Sequence, residues 1–211
     1  MNSAGTANKS NLFVLGLDLG QSQDYTALAI VERSDVETPD ADGYVRVDKH
    51  FSLRHLERYP LGTPYPKVVD NVAKLMATPP LFDNCILMVD ATGVGRAVVD
   101  IFHKAYLRPV AVTITAGNKV TSDGREFGVP KRDLIGVLEV TMQTGRLRIA
   151  RELPEAKTLV DELLNFKRKV TLAGRDTYEA WREGTHDDLV LATSLACWYA
   201  ERHVRPRLTI L

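Results

Sequence analysis

NLFVLGLDLGQSQDYTALAIVER, residues Asn11–Arg33, contains two apolar runs joined by a polar turn. The runs Leu12–Leu19 and Tyr25–Val31 are long enough for strands, and they predict a β-hairpin whose turn is supplied by Gly20 and the polar residues Gln21–Asp24. One residue departs from this pattern, because Asp18 stands inside the first apolar run. A buried carboxylate is costly unless a cation or several hydrogen-bond donors hold it, and this run contains no Lys or Arg. Asp18 is therefore the first candidate for a functional side chain.

The composition is that of a globular chain with a sizeable core. The 211 residues are 45% apolar, which is enough for one well-packed domain. Lys and Arg number 27, as do Asp and Glu, so the net charge is zero. This balance argues against a strongly basic nucleic-acid-binding module, but not against an enzyme that approaches DNA through metal ions.

The cellular setting is read from the cysteines and the apolar runs. Cys85 and Cys197 both lie in apolar runs and are expected to be core residues in a reducing compartment, not a disulfide or a zinc site. No run approaches the roughly 18 apolar residues of a membrane span, and no signal peptide is visible. A cytosolic, soluble domain without membrane contact is therefore expected, and we separately expect the isolated domain to be monomeric.

The chain divides into a folded domain, residues 11–203, and two short ends. Residues 1–10, MNSAGTANKS, are small and polar, so we expect a flexible linker and a domain cut from a longer protein. Residues 204–211 are expected to form a C-terminal tail.

The order of the elements predicts an α/β fold with a mixed five-stranded sheet flanked by helices. After the hairpin come an acidic loop, Asp35–Gly43, and a third antiparallel strand, Tyr44–Leu53. The apolar runs Cys85–Asp90 and Pro109–Thr115 are typical of parallel strands. Right-handed helical crossovers then place the first and fourth strands side by side. Helices are predicted over 66–76, 94–105, 131–144, 154–164 and 187–200.

Three further segments complete the prediction. Residues 116–130 are expected to form a polar loop, and residues 147–150 a short extended segment. Residues 167–172 and 177–181 are predicted to be the arms of an extra β-hairpin.

Further acids stand at the ends of predicted central elements. Asp90 ends the fourth strand, and Asp187 and Asp188 open the final helix, which is apolar almost all round and is expected to be buried. Carboxylates gathered in a poorly solvated place repel one another, and a raised pKa or a bound cation must resolve this. Taken singly, Asp90 also fits a turn and Asp188 a helix N-terminal acid. Together with Asp18 they favour a site for Mg²⁺ or Mn²⁺, which prefer oxygen ligands.

Five other polar residues are candidates for positioning these acids or for contacting a phosphate or DNA: Asp24, Thr92, Lys131, Arg132 and His186. Asp24 also fits a turn, and His186 adjoins the acidic pair. Lys131 and Arg132 fall in the first turn of a helix, where cations are unfavourable unless an anion holds them; a solvated surface pair fits equally well. Thr92 opens a small-residue turn whose backbone N–H groups are expected to face a phosphate.

Three stretches in this order resemble the nuclease domain of viral genome-packaging terminases, the C-terminal part of the large subunit in tailed phages and herpesviruses. They are DLGQSQDYTALAIVE, LMVDATGVG and THDDLVLATSLA, and VPKRDLIG is also similar. The resemblance runs from about Leu12 to Tyr199. It implies an RNase H-like fold and two-metal cleavage of double-stranded DNA. The first metal-binding acid of the family matches Asp18, the second matches Asp90, and the last falls in Asp187–Asp188.

The resemblance also implies a mechanism and partners. Two ions about 3.5–4 Å apart would bridge the scissile phosphate, with Asp18 on both ions and with Asp90 and Asp188 on either side. The implied partners are double-stranded DNA, an N-terminal ATPase domain, a small terminase subunit and a portal. The implied location is the host cell cytoplasm, for a viral protein that the virion does not retain. No GxxxxGK[ST] motif occurs in these residues, so this chain is not expected to translocate DNA alone.

Three alternatives remain open. A Holliday-junction resolvase or a transposase would apply the same RNase H-like chemistry to another DNA, although the predicted extra hairpin and the neutral charge favour the terminase. An actin-like or sugar-kinase-like ATPase also places a phosphate loop after a DLG strand, but it needs a duplicated domain and a second such loop, which we do not find. The third alternative is a purely structural domain, and the presence of all the acids argues against it.

Overall fold

The computed structural model of the chain describes residues 11–20, 24–39, 42, 44–93, 95–173 and 187–203. The strands in these ranges are β1 (Leu12–Asp18), β2 (Ala27–Pro39), β3 (Val45–Arg58), β4 (Cys85–Asp90), β5 (Val110–Thr115), β6 (Thr121–Asp123), β7 (Glu126–Pro130) and β8 (Leu147–Ile149). The helices are α1 (Tyr65–Met76), α2 (Gly95–Lys104), α3 (Lys131–Gln143), α4 (Ala156–Ala173) and α5 (Asp188–Arg202).

The strands form one mixed sheet in the order β6-β7-β5-β4-β1-β2-β3-β8. β1 lies near its centre and is buried along its whole length, as expected for a strand covered on both faces. It pairs antiparallel with β2 and parallel with β4, with Leu17 opposite Val89. The predicted α/β class and the predicted neighbourhood of the first and fourth strands are therefore confirmed.

The prediction of five strands is wrong, because the described sheet has eight. Residues 116–130, predicted as a loop, contain the hairpin β6–β7, which turns at Gly124 with a positive φ of 58°. β7 then extends the sheet by pairing parallel with β5. At the other edge β8 pairs parallel with β3. Edge strands this short carry too little alternation to be recognised from their own residues.

Two further predictions are corrected. β2 continues to Pro39, paired with β3, so residues Asp35–Pro39 are strand and not an acidic loop. α4 continues to Ala173, so the predicted hairpin arm 167–172 is helical; its Lys, Arg and Leu residues all favour helix. The second arm, 177–181, lies outside the described residues, as do the predicted linker 1–10 and tail 204–211.

Each face of the sheet carries its own apolar core. Even-numbered residues of β1, such as Val14, pack with α3 and α5, whose Trp198 is fully buried. Odd-numbered residues, such as Leu15, pack with α1 and α2. Cys197 is buried and Cys85 is half-buried, both as free thiols, and burial raises their pKa values to about 12 and about 11. In the part of the chain that the structure describes, no helix combines the length and the apolarity needed to cross a membrane.

Candidate functional site

The candidate site lies where the parallel strands β1 and β4 end. Asp18 and Asp90 are the last residues of these strands, and the preceding residues Leu17 and Val89 are paired. Asp18 has the same parity as Val14, and Asp90 the same parity as Met88, both of which face α5. The two carboxylates therefore stand side by side beneath α5, with residue exposures of 8% and 7%.

Gly16 brings α5 onto this end of the sheet. A Cβ atom on Gly16 would lie only 1.9 Å from the carbonyl oxygen of Ala192, so only glycine lets the helix backbone approach β1 this closely. Asp18 lies two residues beyond Gly16, about 6.6 Å along the strand. Asp188 lies four residues before Ala192, about 6 Å along the helix. Both carboxylates therefore lie at a similar distance from the crossing point, and Asp188 is buried there.

The acids are close enough for their charges to interact. Burial is the main reason why the pKa of Asp18 lies well above its usual range, and three neighbouring carboxylates raise it further. In order of strength these belong to Asp90, Asp188 and Asp187, whereas the ammonium group of Lys131 acts in the opposite direction. Charge repulsion of this kind arises where carboxylates gather in a poorly solvated place.

The chemistry of these donors fits a hard divalent cation, because Mg²⁺ and Mn²⁺ prefer carboxylate oxygens. Across the ranges that the structure describes, no three His, Cys, Asp or Glu side chains are arranged as a ready-made metal site. The carboxylates therefore share one electrostatic environment without forming a closed coordination shell.

Thr92 fixes Asp90 and ties it to β5. Its backbone N–H donates to Oδ1 of Asp90 at 2.8 Å, and its Oγ1 accepts the N–H of Ile114 at 2.7 Å. Gly93, with φ of 81°, continues the turn. The N–H of Thr92 thus serves the Asp90 carboxylate.

Lys131 and Asp187 form the solvent-facing side of the site. Asp187 is the N-cap of α5, but its side chain makes no capping hydrogen bond. Its Oδ2 instead lies 3.4 Å from Nζ of Lys131, the first residue of α3. The Lys131 side chain is only 15% exposed, so its charge acts on the acids with little screening.

Of the other three candidates, Arg132 and Asp24 are not brought to these acids by contacts among the described residues. Arg132 is exposed; its Nη2 donates to the carbonyl oxygen of Asn118 at 3.1 Å, and its Nε lies 3.6 Å from Asp133. Asp24 is exposed in a bend before β2. His186 lies outside the described residues.

Two residues at the site were not found from the sequence. Nη2 of Arg58 bonds to Oε1 of Glu162 and lies 3.6 Å from Oδ2 of Asp188. Burial raises the pKa of Glu162 to about 7, against the lowering effects of Arg58 and of the hydrogen bond from the Val190 backbone. Glu162 lies three residues after the buried Leu159, on the same face of the helix. A carboxylate on this apolar face could have identified Glu162 as a candidate from the sequence.

Arg58 left no such signal because a β-bulge changes the phase of β3. Ile30 pairs with His55, whereas the next residue, Val31, pairs with Leu53, which leaves Arg54 as an extra residue. Simple alternation from Leu53 would turn Arg58 away from α5, and the bulge turns it towards the helix.

Two curated proteins are similar to this chain: the terminase large subunits of Thermus phage G20c and of Thermus virus P23-45. Each is 25% identical over 186 residues, which cover 88% of this chain and 31% of the relative. The chain thus spans about a third of the length of the curated relatives it matches. No family model matches the chain. The similarity confirms the resemblance to terminase large subunits and supports a distantly related domain.

Proposed function

We propose that the chain is a metal-dependent endonuclease domain that cuts double-stranded DNA during viral genome packaging. The observation that carries this proposal is the burial of Asp18 among the carboxylates of Asp90 and Asp188, which raises the pKa of Asp18. The similarity to terminase large subunits supports the packaging role. We also infer an RNase H-like arrangement, because acids end β1 and β4 and open the last described helix.

The acids of the site would hold two Mg²⁺ or Mn²⁺ ions, with Asp18, Asp90 and Asp188 as the principal ligands and Asp187 beside them. When bound, such a pair of ions activates the attacking water and stabilises the leaving 3′ oxygen of the phosphodiester. The chain itself supplies the orientation: Thr92 holds the Asp90 carboxylate, and Gly16 sets the height of α5 above Asp18. Lys131 contributes a positive charge near Asp187, where a substrate phosphate would be attracted.

The proposed biological setting follows from the same relationship. The substrate is double-stranded DNA in the host cell cytoplasm, and an ATPase domain, a small terminase subunit and a portal are the proposed partners in packaging. In that setting most of the DNA grip would come from the partners, because this chain carries no net charge.

Plasmid cleavage tests the proposal directly. Supercoiled plasmid should be nicked or linearised with Mn²⁺ or Mg²⁺ and stay intact with EDTA, and Asp18→Asn should abolish cutting while circular dichroism shows an intact fold. A four-way junction of matched sequence, offered in the same reaction, separates duplex cleavage from junction resolution. Cutting that survives excess chelator, or that Asp18→Asn leaves unchanged, overturns the metal-dependent assignment.

A further inference from the structure

Arg58 belongs to the same row of the sheet as Asp18. Asp18 pairs with Ala27 across β1 and β2, and Ala27 pairs with Arg58 across β2 and β3. Residues directly opposite each other in antiparallel strands project to the same face. Arg58 and Asp18 therefore both project towards α5, and only the small Ala27 separates them.

The Arg58 guanidinium links two buried carboxylates. It bonds to Glu162 through Nη2, and the same nitrogen lies 3.6 Å from Oδ2 of Asp188. The side chains of Glu162 and Asp188 are only 6% and 7% exposed. The Cζ atom of Arg58 lies over the Tyr25 ring, 4.6 Å from its centroid. These contacts hold the cation in one place and direct its charge onto Asp188.

Glu162 fastens the backbone at the start of α5. Its Oε2 accepts the N–H groups of Leu189 and Val190 at 3.1 Å each. The first N–H groups of a helix have no partner within the helix, and the N-cap residue, Asp187, does not satisfy them with its side chain. A residue of α4 therefore caps α5 immediately beside Asp188.

Glu162 is unsuited to be a metal ligand itself. Its Oε1 is taken by Arg58 and its Oε2 by two backbone amides. Glu162 and Arg58 instead both act on Asp188. Glu162 holds the backbone that follows Asp188, and Arg58 attracts the Asp188 carboxylate. Without them, repulsion from the neighbouring acids would push Asp188 away from the cluster.

We propose that Arg58 and Glu162 are a positioning pair that holds Asp188 against the other acids and so sets the affinity of the site for divalent ions. The described contacts of both residues are with the protein itself. This inference rests on the proposed function, since it takes Asp188 to be a metal ligand.

Metal binding without DNA tests the pair. Calorimetric titration with Mn²⁺ should show an affinity lowered about 10-fold or more in Arg58→Met and Glu162→Gln, the usual range for residues that orient metal ligands. Arg58→Lys keeps the positive charge but not the guanidinium that contacts both Glu162 and Asp188. It should therefore lose less Mn²⁺ affinity than Arg58→Met. If the pair acts only through metal affinity, plasmid cutting should recover towards the wild-type rate at saturating Mn²⁺.

The control is a second, more exposed arginine–glutamate pair at the other end of α5. Nη1 of Arg146 lies 2.9 Å from Oε2 of Glu201, and its guanidinium lies 5.7 Å from the Phe51 ring centroid. Glu201→Gln therefore breaks an arginine–glutamate pair of similar construction far from the acids. Its affinity for Mn²⁺ should stay within about twofold of wild type.

The outcomes separate the two proposals. If wild type binds Mn²⁺ and the folded variants bind it equally well, or if Glu201→Gln weakens binding as much, the positioning role is wrong and the proposed function stands. If wild type binds no Mn²⁺, the proposed function falls, and the positioning role falls with it. Should Arg58→Met fail to fold, Arg58→Lys and Glu162→Gln decide between these outcomes.

Discussion

Replacing Gly16 by alanine should separate α5 from β1 and misplace Asp188. The new Cβ atom would lie 1.9 Å from the carbonyl oxygen of Ala192, whereas ordinary contact begins at 3.4 Å. To reach ordinary contact, the two atoms would have to move apart by about 1.5 Å. Because the clashing atom belongs to the helix backbone, no side-chain rotation can relieve it, and the helix itself must move.

The magnitude follows from two opposing effects. Overpacking costs about 1–3 kcal/mol, and a backbone clash places Gly16→Ala at the upper end of that range. The reduced freedom of the unfolded chain returns about 0.5–1 kcal/mol. We expect a net loss of roughly 2 kcal/mol, which for a chain of this length lowers Tm by about 4–8 °C. A catalytic group moved by about 1 Å can cost about 100-fold in rate, so cleavage should fall by about that factor.

Chemical denaturation in EDTA and a plasmid-cleavage time course measure the two effects. Gly136→Ala is the matched control, since a Cβ there would meet nothing within 4 Å and alanine in a helix should stabilise by up to about 1 kcal/mol. If Gly16→Ala unfolds at the wild-type denaturant midpoint and cuts at the wild-type rate, the close approach of α5 does not position the site.

Three further predictions concern the acids and the net charge. The folded-state pKa of Asp18 lies above its ordinary value of 3.8. The protonated form of Asp18 therefore stabilises the fold, and this stabilisation is complete when the pH is below 3.8. It is lost as the pH rises through the raised pKa. Asp18→Asn should therefore raise the Tm of the metal-free protein near pH 7, with a smaller gain towards about pH 4; a gain independent of pH would refute this. Asp188→Ala should abolish cleavage with both Mg²⁺ and Mn²⁺, whereas Asp187→Ala should keep activity in Mn²⁺. The reason is that the Asp188 side chain is only 7% exposed, whereas that of Asp187 is 23% exposed beside Lys131. The reverse order in a cleavage time course, with both variants folded, would contradict this prediction. With 27 basic and 27 acidic residues, the chain should bind duplex DNA weakly and with a shallow salt dependence, and nanomolar binding at physiological salt in a fluorescence titration would show otherwise.

Much of the central sheet and the candidate acids could be predicted because their signals are local. The apolar runs ending at Asp18 and Asp90 identify buried strands from their own residues. A carboxylate inside such a run is conspicuous, since burial makes it costly. The small-residue turn after Asp90 and the apolar helix after Asp188 were visible for the same reason.

Segments whose structure depends on distant partners were the ones mispredicted. The residues of β6 and β7 are strand because the edge of β5 is available for pairing, and nothing in their own pattern requires it. In the opposite direction, residues 167–172 were predicted as strand, and helix α4 continues through them.

The sequence by itself determined which central segments are buried and that Asp18 and Asp90 are out of place in them, because hydrophobic periodicity and the cost of burying charge act within a few residues. Only the tertiary structure decided how those acids are held. The bulge at Arg54 turns Arg58 towards α5, and Arg58 meets Glu162 across 104 residues of sequence. Gly16 sets the helix height through a contact with Ala192. Such contacts join segments that are remote along the chain, so no local pattern records them, and they exist only once the sheet and α5 have packed together.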